Sequence, residues 1–259
     1  MPNKSLGQHW LKDRLILEAI ADCAELTPDD TVLEIGPGLG TLTSVLLSRA
    51  EQVTAVEFDP ELARKLPGQF PGTNLTVEHA DILHFDLTQL VRGYKVVANV
   101  PYYITSKIVQ TLTESSNPPS ITVLLVQKEV AERLAAKPGD MSILAVAAQT
   151  YAQVTLGPVV PAEYFTPPPK VDSQVVILKH YAEPLVGEAD SKNFFRVVKA
   201  GFSAKRKKLR SSLSGGLGLS KPETETLLAS AGINPDNRAE ELDLNAWKKL
   251  SHAFATLER

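Results

Sequence analysis

The sequence predicts an α/β protein: a mostly parallel sheet with helices on both faces, followed by a small α-helical domain. Three observations favour this fold. Apolar runs of strand length alternate with helix-like segments over the first two thirds of the 259-residue chain, which is typical of parallel sheets. A glycine-rich turn joins the first of these strands to the first helix. After residue 181 the strand patterns stop and only helical patterns remain.

The strand and helix patterns alternate in a regular order. The predicted strands are runs of β-branched and other apolar residues, and they cover residues 31–36, 52–58, 75–83, 95–100, 121–127, 154–160 and 173–181. The predicted helices among them cover residues 41–50, 60–66, 106–112 and 128–137. We therefore predict an α/β domain at residues 1–183 and a helical domain at residues 184–259, with breaks between helices at 214–220 and 232–237.

Composition and charge limit the cellular compartment and the kind of partner that the chain is expected to have. One cysteine, Cys23, excludes an internal disulfide framework and fits a reducing compartment. The first residues lack a signal peptide's apolar centre, and no run approaches the ~18 apolar residues that span a bilayer, so we expect a cytoplasmic protein. Residues 1–183 carry a net charge of −7 and residues 184–259 one of +4, which makes the second domain the better candidate for contact with nucleic acid.

The turn EIGPGLG (residues 34–40) lies between the first predicted strand and helix. Its glycines, Gly36, Gly38 and Gly40, allow a tight turn and a close approach of the backbone to a ligand. The spacing is one residue shorter than the dinucleotide pattern G-x-G-x-x-G. The glycines alone are therefore also compatible with a strand-to-helix turn that binds nothing.

Two acidic residues strengthen the case for a ligand. Glu57 ends the second predicted strand, where a carboxylate accepts from both hydroxyls of a ribose, and Asp81 ends the third, where it could accept from an adenine amino group. Each acid alone is compatible with a solvated loop. Together they line the edge at which parallel sheets bind ligands, in a pattern that resembles Rossmann-like methyltransferases dependent on S-adenosylmethionine (SAM) more than nicotinamide enzymes.

The stretch NVPYY (residues 99–103) follows the fourth predicted strand. The side-chain oxygen of Asn99 and a neighbouring backbone carbonyl could accept the two hydrogens of an adenine amine, which localises the lone pair on nitrogen. Pro101 would stiffen the turn and Tyr102 could stack on the base. We therefore predict Asn99, Pro101 and Tyr102 as catalytic residues; a turn with buried tyrosines is the alternative.

Taken together, the motifs resemble the ribosomal RNA adenine N6,N6-dimethyltransferases over nearly the whole chain, most closely the small-subunit type. The matching segments, in chain order, are GQHWL (7–11), EIGPGLG (34–40), NVPYYITS (99–106), VQKEVAERL (126–134), FTPPPKVDSQVV (165–176), GFSAKRKKLRSSL (201–213) and NRAEELDLNAW (237–247). The resemblance implies contacts to SAM from His9, Leu11, Gly36, Glu57, Asp81 and Asn99. His9 replaces the family's usual Asn and Trp10 its Phe.

The resemblance also implies the substrate. The expected reaction places two methyl groups on each of two adjacent adenines near the 3′ end of 16S rRNA, in the 30S subunit, and no metal is expected. The basic segment of residues 199–210 has no acid, and from it we predict RNA contacts by Lys205, Arg206, Lys207, Lys208 and Arg210. Phe165, before a proline-rich loop, is a further candidate for contact with the adenine; the alternative is a packed aromatic residue.

Three other functions remain open. The related large-subunit enzymes, which modify 23S rRNA and confer macrolide resistance, share the catalytic logic, although the segments at 165–173 and 237–242 favour the small-subunit type. A protein that chiefly assists 30S assembly would use the same basic segment. A DNA adenine methyltransferase would share the Asn-x-Pro-Tyr chemistry, and only the family resemblance argues against it. The sequence gives no sign of oligomerisation, so we expect a monomer.

Overall fold

The structure, a computed structural model, describes residues 9–257, so Gly7 and Gln8 of the N-terminal motif lie outside the described residues. The chain divides into two compact units. The first, the α/β unit, contains the residues up to 132 together with residues 152–180. The second, the helical unit, contains residues 133–151 and the residues from 181 onward. Within residues 9–257, no helix has the length and hydropathy to cross a bilayer.

The α/β unit is built on a mixed, mostly parallel sheet. Its strands are β2 (Thr31–Ile35), β3 (Gln52–Glu57), β4 (Leu75–His79), β5 (Lys95–Asn99), β6 (Ile121–Gln127), β7 (Ala152–Val160) and β9 (Ser173–His180). They lie in the order β4-β3-β2-β5-β6-β9-β7. The strands β2 to β6 run parallel, and β9 is antiparallel to both of its neighbours. All the predicted strands are therefore present, and the predicted α/β class is confirmed.

Helices of the α/β unit cover a sheet whose two faces are both apolar. They are α1 (Arg14–Asp22), α2 (Thr41–Leu46), α3 (Pro60–Lys65), α4 (Thr105–Thr113) and α5 (Lys128–Leu134), the last of which extends to the point where the units divide. Val32 and Leu33 point to opposite faces of β2, and both are fully buried. Helix α1, which the sequence analysis missed, begins at Asp13, whose side chain accepts the backbone N–H of Ile16 at 3.1 Å.

The register of the parallel strands brings their carboxyl ends to one edge. Ile35 pairs with Val56, and Glu57 pairs with His79. Strand β5 ends at Asn99, next to Leu125 of β6. The order of the strands in the sheet reverses at β2, since β3 and β4 lie on one side of it and β5 lies on the other. Such a switch point opens a crevice for ligands at the carboxyl ends of the strands.

A second, two-stranded sheet was not predicted. It pairs β1 (Trp10–Leu11) with β8 (Phe165–Thr166) in antiparallel fashion, so that Leu11 lies opposite Phe165. Both of these side chains are almost fully buried. The pair fixes the beginning of the described chain against the proline-rich loop 166–169.

The helical unit contains α6 (Ile143–Tyr151), α7 (Glu188–Phe202), α8 (Leu209–Leu217), α9 (Lys221–Ser230) and α10 (Leu244–Leu257). Its extent differs from the predicted boundary at residues 183 and 184. Residues 133–151 belong to this unit because Met141, Ala145 and Val146 pack into one core with side chains such as Phe194 and Trp247. The apolar pattern of α6 is compatible with burial in either unit, and its position before the last two predicted strands led the sequence analysis to place it in the first domain.

The predicted break at residues 214–220 is also displaced. Helix α8 continues to Leu217 and ends at Gly218, which has a left-handed backbone. A Cβ atom on Gly216 would lie 2.7 Å from the Cα of Ala200, so this glycine allows α7 and α8 to approach closely. Gly216 therefore serves helix packing, and the glycine pair does not interrupt the helix.

Candidate cofactor and catalytic site

A cavity of about 250 Å³ opens at the carboxyl ends of the parallel strands in the α/β unit. It brings together all the residues predicted for cofactor contact and catalysis: His9, Leu11, Gly36, Glu57, Asp81, Asn99, Pro101 and Tyr102. The sequence had placed Glu57, Asp81 and Asn99 at the ends of different strands, and the parallel register makes them neighbours.

The glycine turn forms one wall of this cavity. Gly36, Gly38 and Gly40 have φ angles of 67°, 57° and 77°, in the left-handed region that L side chains avoid. A Cβ atom on Gly36 would meet no atom within 4 Å, so the backbone there faces open space. The backbone of the turn, which no side chain covers at Gly36, is thus accessible to a ligand in the cavity.

Glu57 is held in place by the backbone around it. Its side chain is 6% exposed, and its two carboxylate oxygens accept the N–H of Gly38 at 3.0 Å and the N–H of Asp59 at 2.8 Å. Burial raises the pKa of Glu57, while these N–H donors partly offset the effect. Each carboxylate oxygen retains a lone pair that a ligand hydroxyl could use.

Asp81 lies two residues beyond the end of β4 at His79, so it follows the strand and does not end it as predicted. Its carboxylate caps its own loop: Oδ1 accepts the N–H of Leu83 at 3.0 Å, and Oδ2 lies 3.1 Å from Nδ1 of His84. The loop therefore positions Asp81 at the cavity wall without a strand.

The cavity fits an adenosyl cofactor on three structural grounds. Two carboxylates, Glu57 and Asp81, offer acceptors for hydroxyl and amino groups, and open space lies over Gly36. Phe58, which sequence reasoning missed, lines the same cavity and is 59% exposed although it is large and apolar. The available sequence signal was an aromatic residue directly after the acid predicted to contact the ribose, because apolar rings stack on purines.

Glu34 is a second residue of the site that was missed. It is 1% exposed, lines the cavity, and accepts the hydroxyl of Thr43 at 2.6 Å through Oε2. Burial raises its pKa to about 8, and the charge of Glu57 adds to that shift. The sequence signal was an acid at an inward-facing position of an otherwise apolar strand.

The loop predicted to be catalytic begins where β5 ends. Asn99 is half-buried, and its Nδ2 donates to the backbone oxygen of His9 at 3.4 Å. Pro101, with φ of −60°, precedes a turn of 3-10 helix at Tyr102–Ile104. The loop thus leaves the sheet in one fixed direction, with the Asn99 amide at the cavity.

Both the ring and the hydroxyl of Tyr102 make contacts that fix its position. The hydroxyl and Oγ of Ser173 are 2.7 Å apart, and the ring stacks with that of His9 at a centroid distance of 5.9 Å and an angle of 18°. Burial raises the pKa of Tyr102, so it is a neutral phenol at physiological pH. His9 in turn donates from Nδ1 to the carbonyl of Pro167 at 2.7 Å. Ser173, which is fully buried, gave no sequence signal of this role.

The prediction that Phe165 contacts the adenine is contradicted by its burial. The side chain is 2% exposed and packs in one core cluster with Leu11, Leu17 and Val160. Its strand pairing with Leu11 turns it inward, so the proline-rich loop does not present it. Tyr103, which is 65% exposed and lines the cavity, is the more accessible aromatic residue.

The predicted basic residues lie in the helical unit, in and after the turn between α7 and α8. All of them are exposed: Lys205, Arg206, Lys207, Lys208 and Arg210. They differ in their partners, since Asp236 pairs with Lys208 at 3.1 Å and with Arg210 at 3.2 Å. Sequence reasoning treated the segment as uniform and missed Asp236, which is 26 residues further along the chain.

Comparison with known proteins agrees with the site. The family model for ribosomal RNA adenine dimethylases matches residues 2–256. A ribosomal RNA small subunit methyltransferase A from Dehalococcoides mccartyi is 43% identical over 256 residues, which cover 97% of this chain and 88% of that protein. A protein of the same name from Desulfitobacterium hafniense is 42% identical, covering 97% and 91% of the two chains.

Solved structures give the same assignment. A dimethyladenosine transferase from Plasmodium falciparum superposes with a TM-score of 0.82 at 28% identity, covering 96% of this chain and 98% of that one. The 23S rRNA methyltransferase ErmE superposes with a TM-score of 0.78 at 31% identity, covering 95% and 99%. The chain therefore belongs to the ribosomal RNA adenine dimethylase family and is an rRNA adenine methyltransferase that uses S-adenosylmethionine.

Proposed function

We propose that this chain dimethylates the N6 amines of two adjacent adenines near the 3′ end of 16S rRNA in the 30S subunit. It would act as a monomer in the cytoplasm and contribute to small-subunit biogenesis. The observation that carries the proposal is the position of Asn99, which ends β5 at the cavity that Glu57 and Asp81 also line. SAM supplies an activated methyl group, and the residues of the chain bind and orient both reactants.

Asn99 is proposed to make the adenine amine nucleophilic. That nitrogen is a poor nucleophile because its lone pair is delocalised into the ring. Nδ2 of Asn99 is already bonded to His9, which directs Oδ1 to serve as the acceptor for one amine hydrogen. The carbonyl of Val100 or Pro101 would accept the other hydrogen. Alignment of nucleophile and methyl group can contribute roughly 7–11 kcal/mol of barrier lowering, which is more than either hydrogen bond.

Tyr102 is proposed to hold the base. Extraction of an adenine from its stack costs a few kcal/mol, and one aromatic contact returns roughly 1–3 kcal/mol. The bond to Ser173 fixes the plane of the Tyr102 ring, and His9 already stacks with that ring. An entering adenine would therefore use the remaining face of Tyr102 or displace His9, with the exposed Tyr103 as a second contact.

The small-subunit substrate is supported by the sequence relatives. The relatives named ribosomal RNA small subunit methyltransferase A are 43% and 42% identical, compared with 31% for the 23S rRNA methyltransferase ErmE. The likeness to ErmE nevertheless favours a second candidate, methylation of 23S rRNA, because that structure matches over almost the full chain.

Incubation with labelled SAM separates the two substrates. Immature 30S and 50S subunits are offered in parallel, and the modified nucleoside is identified by mass spectrometry and mapped by primer extension. We expect N6,N6-dimethyladenosine at two adjacent positions near the 3′ end of 16S rRNA and no label in 23S rRNA. Label confined to 50S would support the second candidate, and no label on either would refute the proposal.

A role chiefly in 30S assembly requires a different test. Asn99→Ala removes the proposed acceptor while the exposed basic residues remain. If cells that carry this variant assemble 30S subunits normally, the binding role is the dominant one. If assembly fails although the variant still binds 30S, methylation itself is needed.

A further inference from the structure

The exposed face of helix α7 continues the basic segment. Lys192, Arg196 and Lys199 are spaced four and three residues apart and are all exposed, so they lie on one face of the helix. The opposite face carries the buried residues Phe194 and Val197. The stripe extends about 10 Å along the helix axis. After the C-terminal end of α7, the chain forms the turn that contains Lys205, Arg206 and Lys207.

Beyond the first turn of α7, which contains Glu188 and Asp190, this region has no acidic residue in its own sequence. Between Ser191 and Ser220 there is no Asp or Glu, although the segment contains basic residues in both α7 and the following turn. For a solvated helix face, mixed signs are the ordinary pattern, since Glu and Lys at i and i+4 stabilise one another. Glu188, in the first turn of α7, lies four residues before Lys192 and can give it that support, whereas Lys199 and the turn that follows have no acid at this spacing, which favours an anionic partner there over a structural role.

The cations of residues 192–210 fall into three groups. Lys208 and Arg210 both pair with Asp236, at 3.1 and 3.2 Å. For Lys192, Lys199, Lys205, Arg206 and Lys207, no ion pair is found within residues 9–257. Arg196 is held differently, with its guanidinium 4.9 Å from the ring centre of Phe254 on α10.

We propose that the RNA-binding surface of the helical unit is formed by the α7 stripe together with Lys205, Arg206 and Lys207. Lys208 and Arg210 contribute less to this surface, because their ion pairs with Asp236 compete with phosphate. This inference rests on the proposed function, because the polyanion is taken to be rRNA. An unpaired lysine that meets a phosphate releases a counterion, whereas a lysine already paired with a carboxylate must first give up that partner. The stripe on α7 is therefore expected to contribute more to binding than the C-terminal half of the predicted basic segment.

The salt dependence of binding to a 16S rRNA transcript tests the surface. Each phosphate contact adds about 0.7–0.9 to the slope of log Kd against log salt concentration. We expect K192Q/K199Q to lower that slope by about 1.5 and K208Q/R210Q to lower it by less. D236N frees two cations, so it is expected to steepen the slope and tighten binding.

Matched controls separate local contact from general charge. K248Q/K249Q removes the same charge from exposed positions on α10, outside the stripe, and is expected to leave the slope almost unchanged. K192R/K199R keeps the charge and is expected to behave like wild type. Thermal unfolding of each variant checks that the helical unit remains folded.

Four outcomes contradict the account, and they can be told apart. An unchanged slope in K192Q/K199Q, or an equal loss in K248Q/K249Q, would overturn the inference and leave the proposed function standing. Failure of the wild-type protein to bind the transcript or 30S subunits would overturn both. A weaker-binding D236N variant would refute the role assigned to Asp236.

Discussion

Glu57 in the α/β unit is 6% exposed and accepts backbone N–H groups with both oxygens, whereas Lys199 and Arg206 in the helical unit are exposed and have no acidic partner in the described chain. These charged side chains of the two units thus differ in both burial and hydrogen bonding. A group that must orient a small reactant is fixed and desolvated, because a small displacement there is costly. A group that attracts a polyanion acts at a distance and through counterion release, for which exposure is sufficient.

The largest effect is expected at the most deeply buried acid of the α/β unit. Glu34 has its pKa raised from 4.5 to about 8, so the folded state holds its proton more tightly than the unfolded state does. The stabilising effect of that proton is complete below pH 4.5 and is lost as the pH rises to about 8. Within this window, each rise of one in pH removes roughly 1.4 kcal/mol of the stabilisation. Glu34→Gln cannot ionise but can still accept from Thr43.

We therefore expect the Gln variant to match wild type in melting temperature near pH 5 and to exceed it by several degrees near pH 8. Thermal unfolding across this range measures the difference, and the carboxyl groups that do not interact with Glu34 titrate alike in both proteins. A gap between the two proteins that is independent of pH would contradict a neutral buried Glu34.

Glu57→Ala is expected to weaken SAM binding by about 10- to 100-fold, because each hydrogen bond to a charged group is worth roughly 1.5–3 kcal/mol. The variant also frees the N–H groups of Gly38 and Asp59. Calorimetry with SAM measures the dissociation constant. Glu57→Gln, which retains one acceptor oxygen, is expected to fall between the two, and an unchanged constant in Glu57→Ala would refute the cofactor placement.

Two adjacent glycines of α8, in the helical unit, provide a test position and its control. A Cβ atom on Gly216 would lie 2.7 Å from backbone and side-chain atoms of Ala200, whereas one on Gly215 would meet nothing within 4 Å. Gly216→Ala is therefore expected to destabilise the protein by roughly 1–3 kcal/mol. Gly215→Ala is expected to stabilise it by roughly 0.5–1 kcal/mol, since alanine favours a helix. Urea unfolding measures both, and equal effects would contradict the close packing of α7 and α8.

The smallest effect is expected at Ser173. Ser173→Ala leaves the hydroxyl of Tyr102 without its partner, a loss of about 1 kcal/mol, or roughly fivefold in kcat/KM for 30S subunits. Tyr102→Phe should cost a similar amount, and the double variant should cost no more than either one. Additive losses would mean that the two side chains act independently.

The strands and the cavity were predictable because their signals are local. Runs such as residues 121–127 can only be buried strands or helices by composition, and acids at the ends of parallel strands converge by topology alone. What sequence reasoning missed depends on contacts between distant segments. Phe165 and Leu11 form a strand pair, and Asp236 pairs with Arg210, and neither partner can be identified from spacing.

The same distinction explains the errors in the helical unit. A glycine pair in a sequence usually indicates a break, and only the 2.7 Å that would separate a Cβ atom on Gly216 from Ala200 shows that close helix packing requires a glycine there. Likewise, the apolar side chains of residues 143–151 indicate a buried helix but not which core buries it.

The central claim is that Asn99 holds the adenine amine for transfer. Single-turnover methylation of 30S subunits by Asn99→Ala, at saturating SAM and enzyme, tests it most directly, with SAM and 30S binding measured in parallel. The account predicts a rate at least about 100-fold below wild type, as for loss of a preorganised hydrogen-bonding group in other enzymes, while 30S binding is retained. A rate within a few-fold of wild type would contradict it.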